Sequence, residues 1–310
     1  MTDSASTKPT LSAEQLAMIQ GIARGMKSPL RAPILKTPAD YGLDFEDVFF
    51  PSFDGVALEA WYIPAANSDK LIICNHPLTM NRYGFPGHME PWSQFADIHV
   101  EFINIYKALN KAGYNVLTYD MRNHGRSADG NGGIVGTGLL EWRDVVGAMQ
   151  YVQSHAQLKD MTVGLYNPCA GGNAAMVAIT KQPEFFTDVK AFVCAQPCSM
   201  ACSRQTVMDM MGIGDFMDEV DMEQIKLGSF ANHEMSPHPY APNVHMPTFV
   251  IQVREDIWTK PSDVQTTFDL LPNKDKKQFW VEGTTKRFDG YNYFGKNPEQ
   301  MVEYFDRFMK

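Results

Sequence analysis

Apolar residues recur along the chain in two rhythms, and the way those rhythms alternate predicts the fold. Leu11, Leu16, Ile19, Ile22 and Met26 repeat at helical spacing and predict an N-terminal helix within 11–27. Pro29, Pro33 and Pro38 then predict an extended connector, because proline fixes φ and has no backbone donor. Segments 45–50 and 56–63 flank a Ser-Phe-Asp-Gly turn and read as an antiparallel hairpin. Short apolar runs suited to buried strands follow at 70–75, 116–119, 161–165, 189–195, 247–253 and 278–281. Between and after them, segments 100–112, 139–155, 174–181 and 300–308 have the composition or spacing of helices. Buried strands separated by helices imply an α/β fold with a mostly parallel central sheet and helices on both faces.

Three parts are expected: an N-terminal helix and connector (1–40), an α/β core (41–197 and 247–310), and an insertion at 198–246. The insertion carries Met200, Met208, Met210, Met211, Met217, Met222, Met235 and Met246. In this architecture an insertion there is expected to form a helical lid over the active-site edge. Methionine is flexible and polarizable, so such a lid adapts to irregular apolar ligands, and the same residues equally serve as filling between lid and body. A second insertion, 81–99, carries Tyr83, Phe85, Trp92 and Phe95 and supplies a further candidate pocket wall. Met208, Met211, Tyr83 and Trp92 are the expected substrate-pocket residues.

Composition narrows the class. The 310 residues carry a formal net charge of −9, and no basic run interleaved with aromatics appears, which disfavours a nucleic-acid surface. The opening segment 1–9 is polar and lacks the apolar stretch of a signal peptide, and no run approaches transmembrane length. The five cysteines, an odd number, suggest free thiols in a reducing, cytoplasmic setting. Cys194, Cys198 and Cys202 fall four residues apart, which matches no zinc spacing and reads as core packing. No metal or cofactor is expected.

The chemistry concentrates at 164–173, Gly-Leu-Tyr-Asn-Pro-Cys-Ala-Gly-Gly-Asn, between a predicted strand and an alanine-rich helix. A strand, a sharp turn and a helix, with small residues around one central side chain, describe a nucleophile elbow centred on Cys169. The turn lifts the nucleophile clear of the sheet and aims the first helix amides at the atom it attacks. Gly171 and Gly172 provide the small neighbours, and Asn167 tolerates strained backbone. The bland alternative is one more buried cysteine.

Several segments resemble one family. Cys169, Ala170, Gly171 and Gly172 are similar to the cysteine elbow of dienelactone hydrolases, and Asp120 to Ser127 matches Asp-x-Arg-x-His-Gly-x-Ser. Asn75-His76-Pro77 stands where that family has His-Gly, and Arg254-Glu-Asp256 with Pro261 resembles its acid-bearing loop. The chain thus resembles the α/β-hydrolases, in style the dienelactone hydrolase group, across roughly residues 45–308. Glu282-Gly283 precedes the position of the family's histidine, yet no histidine follows His245. The resemblance makes His76 and His124 shapers of loops and places His245 at the sheet end remote from the chemistry. It implies oxyanion donors at the amides of Leu78 and Ala170, each contributing about 3 kcal/mol when aimed at developing charge.

Aligned by motif, Lys286 takes the histidine position and Asp256 the acid position. A lysine beside a carboxylate stays charged, since acting as a neutral base at pH 7 needs a shift of about 3 units. A fixed cation nevertheless lowers a thiol's pKa, so Cys169, Asp256 and Lys286 form a self-consistent candidate catalytic set. Such a set acylates readily but activates water poorly. Three readings stay open: an acyl-Cys169 enzyme acting on an ester, thioester or lactone by hydrolysis, acyl transfer or cyclisation; a non-hydrolytic acid–base enzyme, a lyase or cyclase; or an inert ligand-binding relative. The expected partner is an apolar acyl compound.

Overall fold

The computed structural model describes residues 11–310, and the polar segment 1–9 lies outside the described residues. The first helix, α1 (Ala13–Arg24), starts where a capping box is possible: Ser12 accepts from the Gln15 amide and Gln15 reaches back to the Ser12 amide. Strands β1 (Glu46–Pro51) and β2 (Ala57–Ile63) form the expected antiparallel hairpin. Beyond them lie β3 (Lys70–Cys74), β4 (Gly84–Pro86), β5 (His99–Glu101) and β6 (Asn115–Tyr119). Strands β7 (Thr162–Tyr166), β8 (Ala191–Ala195), β9 (Thr248–Val253) and β10 (Lys277–Val281) complete the set. The main sheet runs β1-β2-β6-β3-β7-β8-β9-β10, antiparallel at β1-β2-β6 and parallel from there on.

Alternation along the strands divides the core into two layers. Ile72 and Cys74 of β3, with Phe249, Ile251 and Val253 of β9, face a layer shared with α2 (Ile103–Lys111), α8 (Arg287–Lys296) and α9 (Glu299–Phe308). Leu71, Ile73 and Val250 point the other way, onto α3 (Trp142–Ser154), α4 (Ala170–Lys181) and α7 (Pro261–Leu270). Period-2 side chains on strands covered on both faces produce this division.

The expected helix at 100–112 begins later than its pattern suggests, because 99–101 pairs with β4 instead. That pairing needs glycine at 84, where a Cβ would lie 1.9 Å from the Val100 carbonyl oxygen. Between β8 and β9 the chain forms α5 (Met200–Met210) and α6 (Met217–Lys226). Helix α1 packs against this pair, with Ile19 buried among Met208, Ile213, Phe216 and Val220.

Candidate active site

Cys169 sits between β7 and α4 with φ 49° and ψ −119°, a strained conformation for a residue with a side chain. Its amide donates to Ala195 O at 2.7 Å and its carbonyl accepts from the Asn173 amide at 2.9 Å, so the turn is held from both sides. The crowding is measurable. A Cβ on Gly171 would lie 2.0 Å from Asn75 Oδ1, and one on Gly172 would lie 2.4 Å from Cys194 Sγ and 2.7 Å from the Asn167 carbonyl. Asn75 also donates through Nδ2 to Gly171 O at 3.1 Å, tying the loop after β3 to the elbow. The amides of Leu78 and Ala170 make no backbone hydrogen bond among the described residues, which leaves both available to a ligand oxygen.

The cation beside the sulfur is Arg287, one residue beyond the expected lysine. Its Nη2 donates to Cys169 Sγ at 3.5 Å, to Cys198 Sγ at 3.4 Å and to Gln196 O at 2.5 Å. Nη1 donates to Asp256 Oδ2 at 2.6 Å and Nε to the Tyr291 hydroxyl oxygen at 2.9 Å. Lys286 lies outside this cluster: its exposed side chain pairs with Asp97 at 3.0 Å. The reason is helical phase. Lys286 is the residue before α8, with extended backbone, and the Thr284 hydroxyl accepts from its amide at 3.1 Å. Arg287 is the first helical residue, and Arg287 and Tyr291, four apart, share the face that meets the elbow.

Asp256 is buried and held rigidly. Its Oδ2 accepts from Arg287, from Thr259 Oγ1 at 2.8 Å and from Gln252 Nε2 at 3.0 Å, while Oδ1 accepts from the Trp258 amide at 2.9 Å. The Cys169 thiol is held well below the usual thiol range. A hydrogen bond from Cys198 is the largest cause, burial opposes it, and the Arg287 charge with hydrogen bonds from Tyr291 and Arg287 completes the effect. Cys198 and Tyr291 are correspondingly pushed up, Cys198 chiefly by that hydrogen bond and Tyr291 chiefly by burial. The surroundings thus favour negative charge on Cys169 over Cys198 and Tyr291. Elsewhere, burial alone pushes the Cys74 thiol up.

Cys198, Tyr291, Gln196 and Arg287 were not foreseen. The spacing of Arg287, Phe288, Tyr291 and Phe294 was the available signal, since all four are buried and lie at helical intervals. The two histidines near the loop after β3 are engaged in structure. His76 Nδ1 lies 2.8 Å from Pro77 O and its Nε2 accepts from the Met121 amide at 2.9 Å. His124 Nδ1 lies 2.8 Å from Arg122 O. The Asp120–Ser127 segment is likewise braced, with Asp120 taking a 2.6 Å bond from Arg82 and its carbonyl one of 2.6 Å from Ser127.

A cavity of about 730 Å³ adjoins this cluster, sharing Leu78 with the candidate oxyanion loop and Trp258 with the Asp256 loop. Its walls are mostly apolar and come from α1 (Met18, Ile22), from Trp92 and from α5 and its end (Met200, Met211). Two expected wall residues lie elsewhere. Met208 is fully buried against Ile19, beside rather than on the cavity-lining stripe of α5, and Tyr83 is fully buried with its hydroxyl 2.6 Å from His99 Nε2. The apolar stripe of α5 meets both α1 and the cavity, so sequence spacing could not divide its residues between them.

The sheet order, the layered helices and the elbow after β7 define an α/β-hydrolase fold. An esterase from Pyrococcus furiosus superposes with a TM-score of 0.71 at 21% identity, over 92% of this chain and 99% of that one. Dienelactone hydrolase from Anabaena variabilis gives 0.54 at 15% identity, over 86% and 99%. An acylaminoacyl peptidase from Pyrococcus horikoshii gives 0.61 at 18% identity, over 89% of this chain and 42% of that one. No protein-family model matches the chain, and no curated protein matches it.

Proposed function

We propose that the chain is an enzyme of the hydrolase class that acts on an apolar ester, thioester or lactone through an acyl-Cys169 intermediate. The observation that carries this reading is the Cys169 sulfur itself, at the elbow, with Cys198, Tyr291 and Arg287 donating to it and no neutral base beside it. The thiolate attacks the substrate carbonyl carbon. The carbonyl oxygen takes the negative charge and is met by the amides of Leu78 and Ala170. Collapse breaks the carbonyl bond to the leaving group and leaves a thioester on Cys169. Asp256 orients Arg287 rather than an imidazole.

Burial disfavours the Arg287 charge, but arginine stays charged under all ordinary conditions and Asp256 holds it so, and it takes no proton from water. Release of the acyl group is then fastest to a nucleophile stronger than water, an amine or a thiolate, or to a hydroxyl of the same substrate held close for ring closure. The proton of the attacking group passes to solvent as the Cys169 thiolate leaves. This reading assigns residues 198–246, together with α1, the role of a lid that selects the acyl part.

The test is intact-mass spectrometry after incubation with activated acyl esters. A single acyl adduct mapping to Cys169 and missing in Cys169→Ala is expected, with discharge faster in added amine or thiol than in water. Absence of any adduct, with apolar acyl compounds still binding, would transfer the weight to a ligand-binding role.

A further inference from the structure

The cavity that shares Leu78 and Trp258 with the loops around Cys169 is mostly apolar; Ser28, Thr79, Gln94 and Ser203 add neutral polar groups, and Arg204 is the only charged residue lining it among the described residues. It stands on α5, four residues after Met200, which also lines the cavity. That spacing places it about 6 Å further along the helix axis. Its guanidinium has no ion pair and no hydrogen bond to oxygen among the described residues. The one contact is a 3.9 Å approach of Nη2 to Met200 Sδ. Nε is buried without a partner. Burial pushes the group down to about 10, with only the more distant Asp221 opposing. Arg204 is half-buried, and the fully buried arginines differ sharply: Arg82, Arg122 and Arg287 each hold a carboxylate at 2.6 Å. Arginine carries its charge under all ordinary conditions, and a partly desolvated cation without a counter-ion is costly in a fold.

We propose that Arg204 binds a carboxylate at the far end of the acyl chain, so that the substrates are half-esters or half-thioesters of dicarboxylic acids rather than simple fatty acyl compounds. The apolar walls take the methylene spacer, the carboxylate meets the guanidinium fork, and the ester carbonyl reaches Cys169 at the other end. The acid end is the choice because a planar fork in a mostly apolar wall matches a carboxylate in two parallel hydrogen bonds. The inference rests on the acyl-enzyme reading for its orientation, though not for the binding itself.

Binding is measured by calorimetry with two unreactive probes, an N-alkyl monoamide of octanedioic acid and the matching N-alkyl octanamide. The wild-type chain should bind the acid about 10- to 100-fold more tightly, the worth of a charge-assisted hydrogen bond. Arg204→Gln should remove that preference while shifting the neutral amide little, and Arg204→Lys should keep part of it. Equal affinity of the two probes for the wild-type chain overturns the proposal, and that comparison needs no variant to fold. Parallel loss of both probes in a folded Arg204→Gln also overturns it, by reducing Arg204 to packing. Acid preference without any Cys169 adduct would leave this site standing and remove the acyl-enzyme chemistry. An adduct without acid preference would do the reverse.

Discussion

At Cys169 one guanidinium nitrogen serves two sulfurs, and the surroundings favour negative charge on Cys169 rather than Cys198. Cys198 donates, Cys169 accepts, and the Arg287 charge favours the arrangement. Arg287→Met should raise the Cys169 pKa by one to two units, since charge-assisted hydrogen bonds contribute about 1.5–3 kcal/mol. Iodoacetamide labelling followed by peptide mapping reads this as a 10- to 100-fold slower reaction near pH 6, with Arg287→Lys in between. Lys286→Met should leave the profile unchanged, because its side chain sits on Asp97 at the surface. A profile that responds to Lys286 and ignores Arg287 would reverse the assignment. Arg287→His puts a titratable base where none exists and should speed the release of an acyl group to water relative to amine. Single-turnover kinetics distinguish the two acceptors.

Among the elements, the elbow and α4 depend on positions with no space for a methyl group, while α1 has space to spare. Gly172→Ala should destabilise the fold by about 1–3 kcal/mol, the ordinary cost of overpacking. Its added carbon would meet Cys194 Sγ at 2.4 Å and a backbone carbonyl at 2.7 Å. Gly21→Ala goes the other way. The position is inside α1 with nothing within 4 Å of the added carbon, so the gain is about 1 kcal/mol of helix propensity. Urea unfolding measures both, and a neutral Gly172→Ala would show that the elbow relaxes. The same contrast explains what was readable at this scale. The hairpin, the buried strands and α4 announce themselves through alternation, turn residues and small side chains. Helices α7 and α8 do not, because α8 carries Gly290 and Gly295 and owes its phase to packing on Gln196 and the elbow.

For the whole molecule, buried titrating groups set the response to acid. Burial holds His76 and His124 below the ordinary imidazole range. A base with a lowered folded pKa contributes stability in full above about 6.5, lost as pH falls and the unfolded chain takes up protons. Burial holds Asp144 up at about 6 despite Arg122, and a carboxyl raised in the fold acts with the opposite sign, favouring the fold as pH falls through that value. The urea midpoint should therefore drop between about pH 7.5 and 6 and flatten between about 6 and 4, where the two effects oppose. A midpoint that rises on acidification from 7.5 to 6 would mean that the histidines are charged in the fold.

The sequence by itself determined the layered α/β architecture and the elbow, because period-2 runs, turn residues and the Cys169–Gly172 cluster are local signals. Its motif spacing also put a cation, Lys286, where the resemblance expects a histidine. Which cation was a tertiary matter. A one-residue step at the start of α8 turns Lys286 outward to Asp97 and Arg287 inward to Cys169, Asp256 and Cys198. The pairing of Cys169 with Cys198, the side of α5 that Met208 occupies and the unpartnered Arg204 in the cavity wall were decided the same way. Cys198 reaches Cys169 from the loop between β8 and α5. The choice at α8 and the placing of Met208 and Arg204 on α5 depend on the rotation of a helix about its axis, which packing fixes more finely than any apolar pattern along the chain.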